Sequence, residues 1–261
     1  MAENNQNVAR LLIIAIAVVI IVAAGSFFVF HMPSDESSST PTASSATGET
    51  PAAAPSGDQT TAPAAPTVAT GTPKPVKNLP PQPDGLPEMA IGSPTAPVTI
   101  VEWASLTCPH CREFMVDRLP ELKKKYIDTG LVRLIFRDYP LDGYALRAAM
   151  IAHCAGPDRY FAYIDAYFEQ QLSWIQDDPM EGLKRVARFS GMSSDDIDKC
   201  LADKELSQKI VAGMQTAQKD LGVNSTPTFL FDGSTFSGAL PVEQYEEMFD
   251  AALKKAGVDV K

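Results

Sequence analysis

Two cysteines separated by two residues, directly after a β-rich segment, restrict the possible folds of this chain more than any other feature. The motif is Cys108-Pro109-His110-Cys111. The preceding segment, from Pro97 to Trp103, is rich in β-branched residues and predicts a buried strand. A helix is expected to begin at about Pro109. The first unit that we predict is therefore a strand followed at once by a helix that opens on two thiols.

The spacing of the motif points to thiol–disulfide chemistry. Two cysteines three positions apart in the first turn of a helix can form a disulfide with little strain. We expect Cys108 to be the exposed thiol at the helix N-terminus, where free N–H groups and the helix dipole stabilise its thiolate. A protonated His110 would add a second stabilising charge. A stabilised thiolate favours the reduced form, which makes the Cys108–Cys111 disulfide a stronger oxidant. The redox group is then the pair itself, and we expect no bound cofactor.

The motif allows two other interpretations. A zinc site would need two further ligands. Only Cys154, Cys200, His31 and His153 remain, and none of them forms a second ligand pair, so we predict no metal. The motif could also be a purely structural disulfide.

The N-terminal segment predicts that the motif lies outside the cytoplasm. Leu11 to Phe30 contains no charged residue and, as a helix, is long enough to span the core of a bilayer. Arg10 is the only basic residue before it, which favours a cytoplasmic N-terminus. We interpret residues 1–32 as an uncleaved membrane anchor, and a signal peptide cleaved after Val22-Ala23-Ala24 is the alternative. Either segment would export everything that follows.

A linker and a globular domain are predicted after this segment. Residues 33–87 hold 12 of the chain's 21 prolines and no aromatic residue, so they cannot bury enough apolar area to fold and are expected to form a disordered tether. Residues 88–261 form the domain. The formal net charge of −10 argues against nucleic acid as a partner.

The domain alternates strand and helix signals. The first helix is expected to kink at Pro120, and Leu131 to Arg137 predicts a second strand. From about residue 141 to residue 222, the apolar residues recur with a helical period. Thr228 to Phe231 predicts a strand, and Asp232-Gly233 predicts a hairpin turn that connects it to a second strand, Thr235 to Ser237. A last helix is expected to begin at Pro241.

The segment Asn224-Ser225-Thr226-Pro227-Thr228 is the second signal, because it stands just before a predicted strand. Together with the C-P-H-C motif and the helical block, it resembles the thioredoxin superfamily, and within it the DsbA-type thiol–disulfide oxidoreductases. The resemblance covers roughly Glu88 to Gly257. It implies an α/β, thioredoxin-like fold with a helical insertion at about 141–222. It also implies that Pro227 is cis and lies against the motif, and that Thr226 presents its backbone to an extended substrate peptide.

Glu102 is a third candidate site residue. It alternates with Ile100 and Val98 on the inward face of the first strand, six positions before Cys108. Burying a carboxylate costs free energy, so a buried one usually has a functional role. We therefore expect the pKa of Glu102 to be raised and Glu102 to exchange a proton with Cys111. The position matches an acidic residue in the DsbA pattern. The alternative is a carboxylate at the sheet edge that points to solvent.

Cys154 and Cys200 remain, 46 positions apart. In an exported protein two spare thiols usually pair, so we predict a structural disulfide. The alternative is two small buried apolar side chains.

The combined interpretation is an exported dithiol oxidase, tethered to the bacterial inner membrane with its catalytic domain in the periplasm. A soluble periplasmic form after signal cleavage is the alternative location. Its expected partners are unfolded exported proteins with cysteines and, as the resemblance implies, a membrane oxidase of the DsbB type. A disulfide isomerase or reductase of the same fold, or a non-catalytic envelope binding module, remains an alternative function.

Overall fold

The computed structural model of the protein describes residues 75–83, 85–176 and 178–258. The predicted membrane anchor and residues 33–74 of the predicted linker lie outside these ranges. Within the described ranges, no helix has the length and apolar character needed to cross a membrane.

A five-stranded mixed sheet forms the centre of the domain. Its strands are β1 Met89–Ile91, β2 Val98–Ala104, β3 Val132–Asp138, β4 Thr228–Phe231 and β5 Ser234–Ser237. They lie in the order β1-β3-β2-β4-β5. Strands β2 and β3 are parallel, and the other neighbours are antiparallel. Four of these strands match segments that the sequence predicts. Strand β1 has no sequence signal of its own, because it has three residues and only one buried side chain, Met89.

The first helix, α1, follows β2 and carries the cysteine motif. Its α-helical parts are Pro109–Arg112 and Leu119–Leu122, and its π-helical parts are Glu113–Arg118 and Lys123–Ile127. Pro120 lacks an N–H group and crowds the preceding turn, which a π-helical turn accommodates. The helix therefore continues past Pro120 to Ile127 with altered hydrogen bonding.

The helical insertion between β3 and β4 is confirmed. Its helices are α2 Gly143–Cys154, α3 Pro157–Glu169, α4 Gln171–Trp174, α5 Pro179–Phe189, α6 Ser194–Leu201 and α7 Lys204–Leu221. Gly222 ends α7 in the left-handed conformation, with a φ of 69°. The last helix, α8 Val242–Lys255, follows Pro241 as expected.

The two faces of the sheet pack in separate cores. Alternation along β2 turns Ile100 and Ala104 toward α1, α8 and the insertion, and it turns Val101 and Trp103 toward α7. Glu102 alternates with Ile100, so it lies on the α1 side. The sheet thus directs a carboxylate toward the core beneath the cysteine motif.

Part of the predicted linker packs against the domain. Leu86 is buried, and Val76 and Leu79 pack on the core between the sheet and α7. Asn78 Nδ2 donates to the carbonyl of Gly233 at 2.9 Å. These apolar contacts and the hydrogen bond explain why residues 75–83 and 85–87 are ordered, in contrast to the disorder expected for them. The folded domain therefore begins before Glu88.

Candidate active site

Cys108 and Cys111 are free thiols at the start of α1. Cys108 caps the helix in an extended conformation, and its N–H donates to the carbonyl of Ser105 at 3.0 Å. Cys108 is 6% exposed and Cys111 is 0% exposed. The expectation of an exposed Cys108 is therefore wrong for the residue as a whole, because neighbouring loops cover most of it. Cys108 is nevertheless the more accessible of the two thiols.

One of these covering loops contains a cis peptide bond between Thr226 and Pro227. The Cys108 thiol donates to the carbonyl of Thr226 at 3.3 Å. The Thr226 hydroxyl is buried without a hydrogen-bond partner among the described residues. It is thus available to donate to Cys108 once that thiol ionises. The structure therefore brings together the two segments that the sequence analysis singled out, 118 positions apart.

The surroundings of Cys108 favour its thiolate. Its pKa is lowered to about 5, first by a hydrogen bond from the Cys111 thiol. The Thr226 side chain and the backbone N–H groups of Cys111 and His110 lower this pKa further, and burial opposes them. The two backbone donors are free N–H groups of the helix N-terminus, as the sequence predicts.

Cys111 and Glu102 show the opposite behaviour. Burial raises the pKa of Cys111 well above its ordinary value, and the charges of Glu102 and Cys108 raise it further. Glu102 lies on the central strand β2 and is 0% exposed, which excludes the solvent-facing alternative. Neither carboxylate oxygen has a hydrogen-bond partner among the described residues. Burial, followed by the charge of Cys108, raises the pKa of Glu102 well above its ordinary value.

His110 projects from the motif toward solvent. Its side chain is 73% exposed, and Nδ1 lies 3.2 Å from Glu113 Oε2. Glu113 also accepts a hydrogen bond from Arg118 at 2.6 Å. Pro109 occupies the first helical position, where its missing N–H leaves no hydrogen bond unmade. The contact between His110 and Cys108 that lowers the cysteine pKa is made by the His110 backbone.

An open, mainly apolar groove lies beside Cys108. It has a volume of about 440 Å³ and runs between the motif and the helical insertion. Residues lining it are Thr107, Cys108, Pro109, Leu141, Asp142, Tyr144, Trp174, Ile175 and Pro179, of which Asp142 is the only charged one. Leu141 and Tyr144 are exposed large side chains on its rim. The groove gives the nucleophile a neighbouring surface for apolar side chains.

Two contacts from the insertion to the motif were not predicted. Gln171, buried at the start of α4, donates to the carbonyls of Leu106 and Cys108. Asp142, the N-cap of α2, accepts a hydrogen bond from the Thr107 hydroxyl at 2.6 Å. An Asp before a helical segment is a typical N-cap, so the sequence could have indicated Asp142 as the start of a helix. No sequence signal distinguishes Gln171 from any other polar residue of a helical block.

The other two cysteines lie away from the motif, in the insertion. Cys154 at the end of α2 and Cys200 in α6 form a disulfide, with Cα atoms 6.1 Å apart. Cys154 is exposed, which does not fit the alternative of two buried apolar residues. No group of acidic, histidine and cysteine side chains suited to a metal ion occurs in residues 75–83, 85–176 and 178–258.

The chain is similar to known thiol–disulfide proteins over this same domain. A family model described as Thioredoxin matches residues 85–251. The crystal structure of Wolbachia pipientis alpha-DsbA1 is 33% identical, has a TM-score of 0.62, and covers 69% of this chain and 98% of that chain. Disulfide bond formation protein D of Bacillus subtilis is 25% identical over 178 residues, which are 66% of this chain and 80% of the relative.

A protein of Rickettsia bellii, named as a candidate protein-disulfide oxidoreductase, is 28% identical over 172 residues. The match covers 65% of this chain and 64% of the Rickettsia protein, so this chain spans less than two thirds of that relative. The family model covers more than half of the chain, and the Wolbachia structure is matched over nearly its whole length. The chain therefore belongs to the DsbA-type thiol–disulfide oxidoreductases of the thioredoxin family.

Proposed function

We propose that this protein is a dithiol oxidase that introduces disulfides into exported proteins. The observation that carries the proposal is the contrast between its two active-site thiols. The pKa of Cys108 is lowered to about 5, whereas that of the buried Cys111 is raised. A thiolate stabilised in the reduced protein makes the corresponding disulfide easier to reduce, and therefore a stronger oxidant. A reductase, whose own disulfide must be hard to reduce, would not need so strong a bias.

The reaction proceeds through a mixed disulfide. In the oxidised domain, a substrate thiolate attacks Cys108 Sγ, and the Cys108–Cys111 bond breaks. Cys111 leaves as a thiolate and takes a proton, for which Glu102 is the nearby buried donor. A second substrate thiolate then attacks the substrate sulfur of the mixed disulfide and releases Cys108 as a thiolate. The substrate loses two electrons and gains one disulfide, and the domain gains both electrons without any bound cofactor.

Unfolded polypeptides are the substrates that the surroundings of Cys108 suit. The groove between the motif and the insertion accepts apolar side chains, which unfolded proteins expose. The cis Thr226–Pro227 loop lies against Cys108. We expect the Thr226 backbone to pair with an extended substrate chain there. Recognition through backbone and generic apolar contacts would admit many sequences.

Reoxidation and location follow from the same proposal. The reduced domain needs a disulfide donor, for which a membrane oxidase of the DsbB type is the proposed partner. The periplasm is the proposed site of action, because disulfides persist in oxidising compartments. An N-terminal membrane anchor in residues 1–32 would hold the domain near such a partner.

Trapping the mixed disulfide tests the proposed activity. Cys111→Ala keeps the attacking thiol but removes the internal resolving thiol. It should therefore accumulate covalent adducts with a cysteine peptide supplied as an activated disulfide. Wild-type protein should release the peptide, and Cys108→Ala should form no adduct. A folded Cys111→Ala variant that forms no adduct on a non-reducing gel would remove the main support for the proposed reaction.

A further inference from the structure

Gln171 is a buried amide that reaches from the helical insertion to the loop before α1. The residue is 1% exposed. Its Nε2 donates to the carbonyl of Leu106 at 2.9 Å and to the carbonyl of Cys108 at 3.0 Å. An amide nitrogen has two hydrogens, so both are used on the two peptide carbonyls on either side of Thr107. The side chain thus fixes the backbone at the nucleophile itself.

The element that carries Gln171 is itself held in place. The indole N–H of Trp174, at the other end of α4, donates to the carbonyl of Tyr167 at 2.8 Å, and Trp174 is fully buried. Gly182 of α5 packs so closely that a Cβ atom there would clash with the backbone of Trp174. A four-residue helix fixed on both sides presents the Gln171 amide with little freedom.

We propose that Gln171 is a positioning residue, which holds Cys108 at the N-terminus of α1 through its two hydrogen bonds. The Cys108 carbonyl also accepts the first helical hydrogen bond, from the N–H of Arg112 at 3.2 Å. The Gln171 amide is thus a second donor to the carbonyl of the helix cap. This inference rests on the proposed function, because it assigns Gln171 a part in the reactivity of Cys108.

The hydrogen bonds have an electrostatic consequence for the thiolate. The Leu106 and Cys108 carbonyls carry partial negative charges close to Cys108. The Gln171 amide offsets these charges and keeps the carbonyls turned toward the insertion. Without it, the Leu106 carbonyl would seek another donor, and the loop would lose the geometry that places Cys108 near the N–H groups of α1. The thiolate would then be less stable.

Replacing Gln171 in the full-length chain tests the proposal. Gln171→Met keeps an unbranched side chain of similar length and removes both donors. A net hydrogen-bond contribution of about 1 kcal/mol corresponds to a rise of about 0.7 pKa unit for Cys108, or about fivefold less thiolate below that pKa. Ultraviolet absorbance of the thiolate against pH measures this shift. The alkylation rate at a fixed pH below the pKa should fall by about the same factor.

The neighbouring residue provides a matched control. The Gln170 side chain makes no hydrogen bond among the described residues, so Gln170→Met should titrate as the wild type does. Gln171→Glu preserves the shape, but a carboxyl buried against two carbonyl oxygens keeps its proton and can donate only one hydrogen bond. It should therefore raise the Cys108 pKa, by less than Gln171→Met does. It also carries the test if Gln171→Met does not fold.

The outcomes separate this inference from the proposed function. A folded Gln171→Met or Gln171→Glu protein with the wild-type Cys108 titration would overturn the positioning role. Failure of both variants to fold would also overturn it, because Gln171 would then serve the stability of the domain. A wild-type protein with the expected low Cys108 pKa but no thiol exchange would instead contradict the proposed function. The positioning role of Gln171 would still be decided by the Cys108 titrations of the Gln171 variants.

Discussion

At the residue scale, His110 and Glu113 offer a direct test of electrostatics at the motif. Replacing His110 with Ala removes a ring that carries positive charge when protonated, so the pKa of Cys108 should rise and the disulfide should become less oxidising. We expect a rise of less than about one pKa unit, because the ring is exposed and pairs with Glu113. Thiolate absorbance against pH measures the effect. An unchanged titration in His110→Ala would mean that the ring has no electrostatic role.

Glu113→Gln is the matched control for that prediction. It removes the counter-charge of His110 and leaves the ring in place. The pKa of Cys108 should then fall slightly, in the direction opposite to the effect of His110→Ala. Equal shifts of the same sign in both variants would show that a change in helix structure, and not charge, causes them.

Glu102 determines a second prediction, for stability against pH. Burial raises its pKa in the folded protein, so the folded state binds a proton that the unfolded state has lost. Below the unfolded pKa of about 4.3, the Glu102 carboxyl is protonated in both states and does not change the stability. Between that value and the pKa in the folded protein, only the folded state holds the proton, so stability is lost as pH rises. The loss is about 1.4 kcal/mol for each pH unit within that window. The free energy of unfolding of the oxidised wild type should therefore fall over this range relative to that of Glu102→Gln.

The oxidised form is the right one for this measurement, because Cys108 cannot titrate in it. Glu102→Gln should show a flatter profile, since its amide does not titrate. Denaturant unfolding at several pH values compares the two proteins. Parallel profiles for wild type and Glu102→Gln would mean that Glu102 ionises normally in the folded state.

At the element scale, the Cys154–Cys200 disulfide ties α2 to α6 within the insertion. Closing a loop of 46 residues contributes about 4 kcal/mol in the chain-entropy model, so Cys154→Ala/Cys200→Ala should lose about that much stability. Under graded reduction, the Cys108–Cys111 disulfide should open first, because its leaving thiolate is the more stable one. Mass mapping of alkylated peptides follows both bonds. Earlier opening of Cys154–Cys200 would contradict a purely structural role.

The elements predicted from the sequence are those with local signals. Strands β2 and β3 are rich in β-branched and other apolar residues, the motif begins a helix, and Asp232-Gly233 forms a turn. Strand β1 exists because Met89–Ile91 pairs with β3, which no short segment can show on its own. The order of residues 75–83 and 85–87 depends in the same way on packing against α7.

The site residues also differ in whether a local sequence signal reveals them. The cysteines, Glu102 and Pro227 stand out because their residue types are unusual at their positions in the predicted elements. Gln171 does not, because its role arises only when the insertion folds back over the motif. The burial of Cys108 was missed for the same reason, since it depends on the Thr226–Pro227 loop and the insertion.

At the scale of the whole molecule, the domain combines a rigid redox centre with an open surface. The sheet and α1 hold the two thiols in unequal environments, and the insertion contributes both the groove and the Gln171 contact. The proposed function combines a strong oxidant with a mainly apolar neighbouring groove that accepts unfolded substrates. The central claim is therefore that Cys108–Cys111 is an oxidising pair.

The reduction potential of the Cys108–Cys111 pair tests that claim most directly. The protein is equilibrated with reduced and oxidised glutathione at several ratios, quenched with acid, and its thiol and disulfide forms are separated after alkylation. Each pKa unit by which the Cys108 thiolate is stabilised raises the potential by roughly 30 mV. Lowering the Cys108 pKa from 9.0 to about 5 corresponds to roughly 120 mV relative to a pair with an ordinary thiol. We therefore expect a potential above about −200 mV, with the pair largely reduced in ordinary glutathione buffers. A potential well below that value, with the pair oxidised in the same buffers, would contradict the account and indicate a reductase.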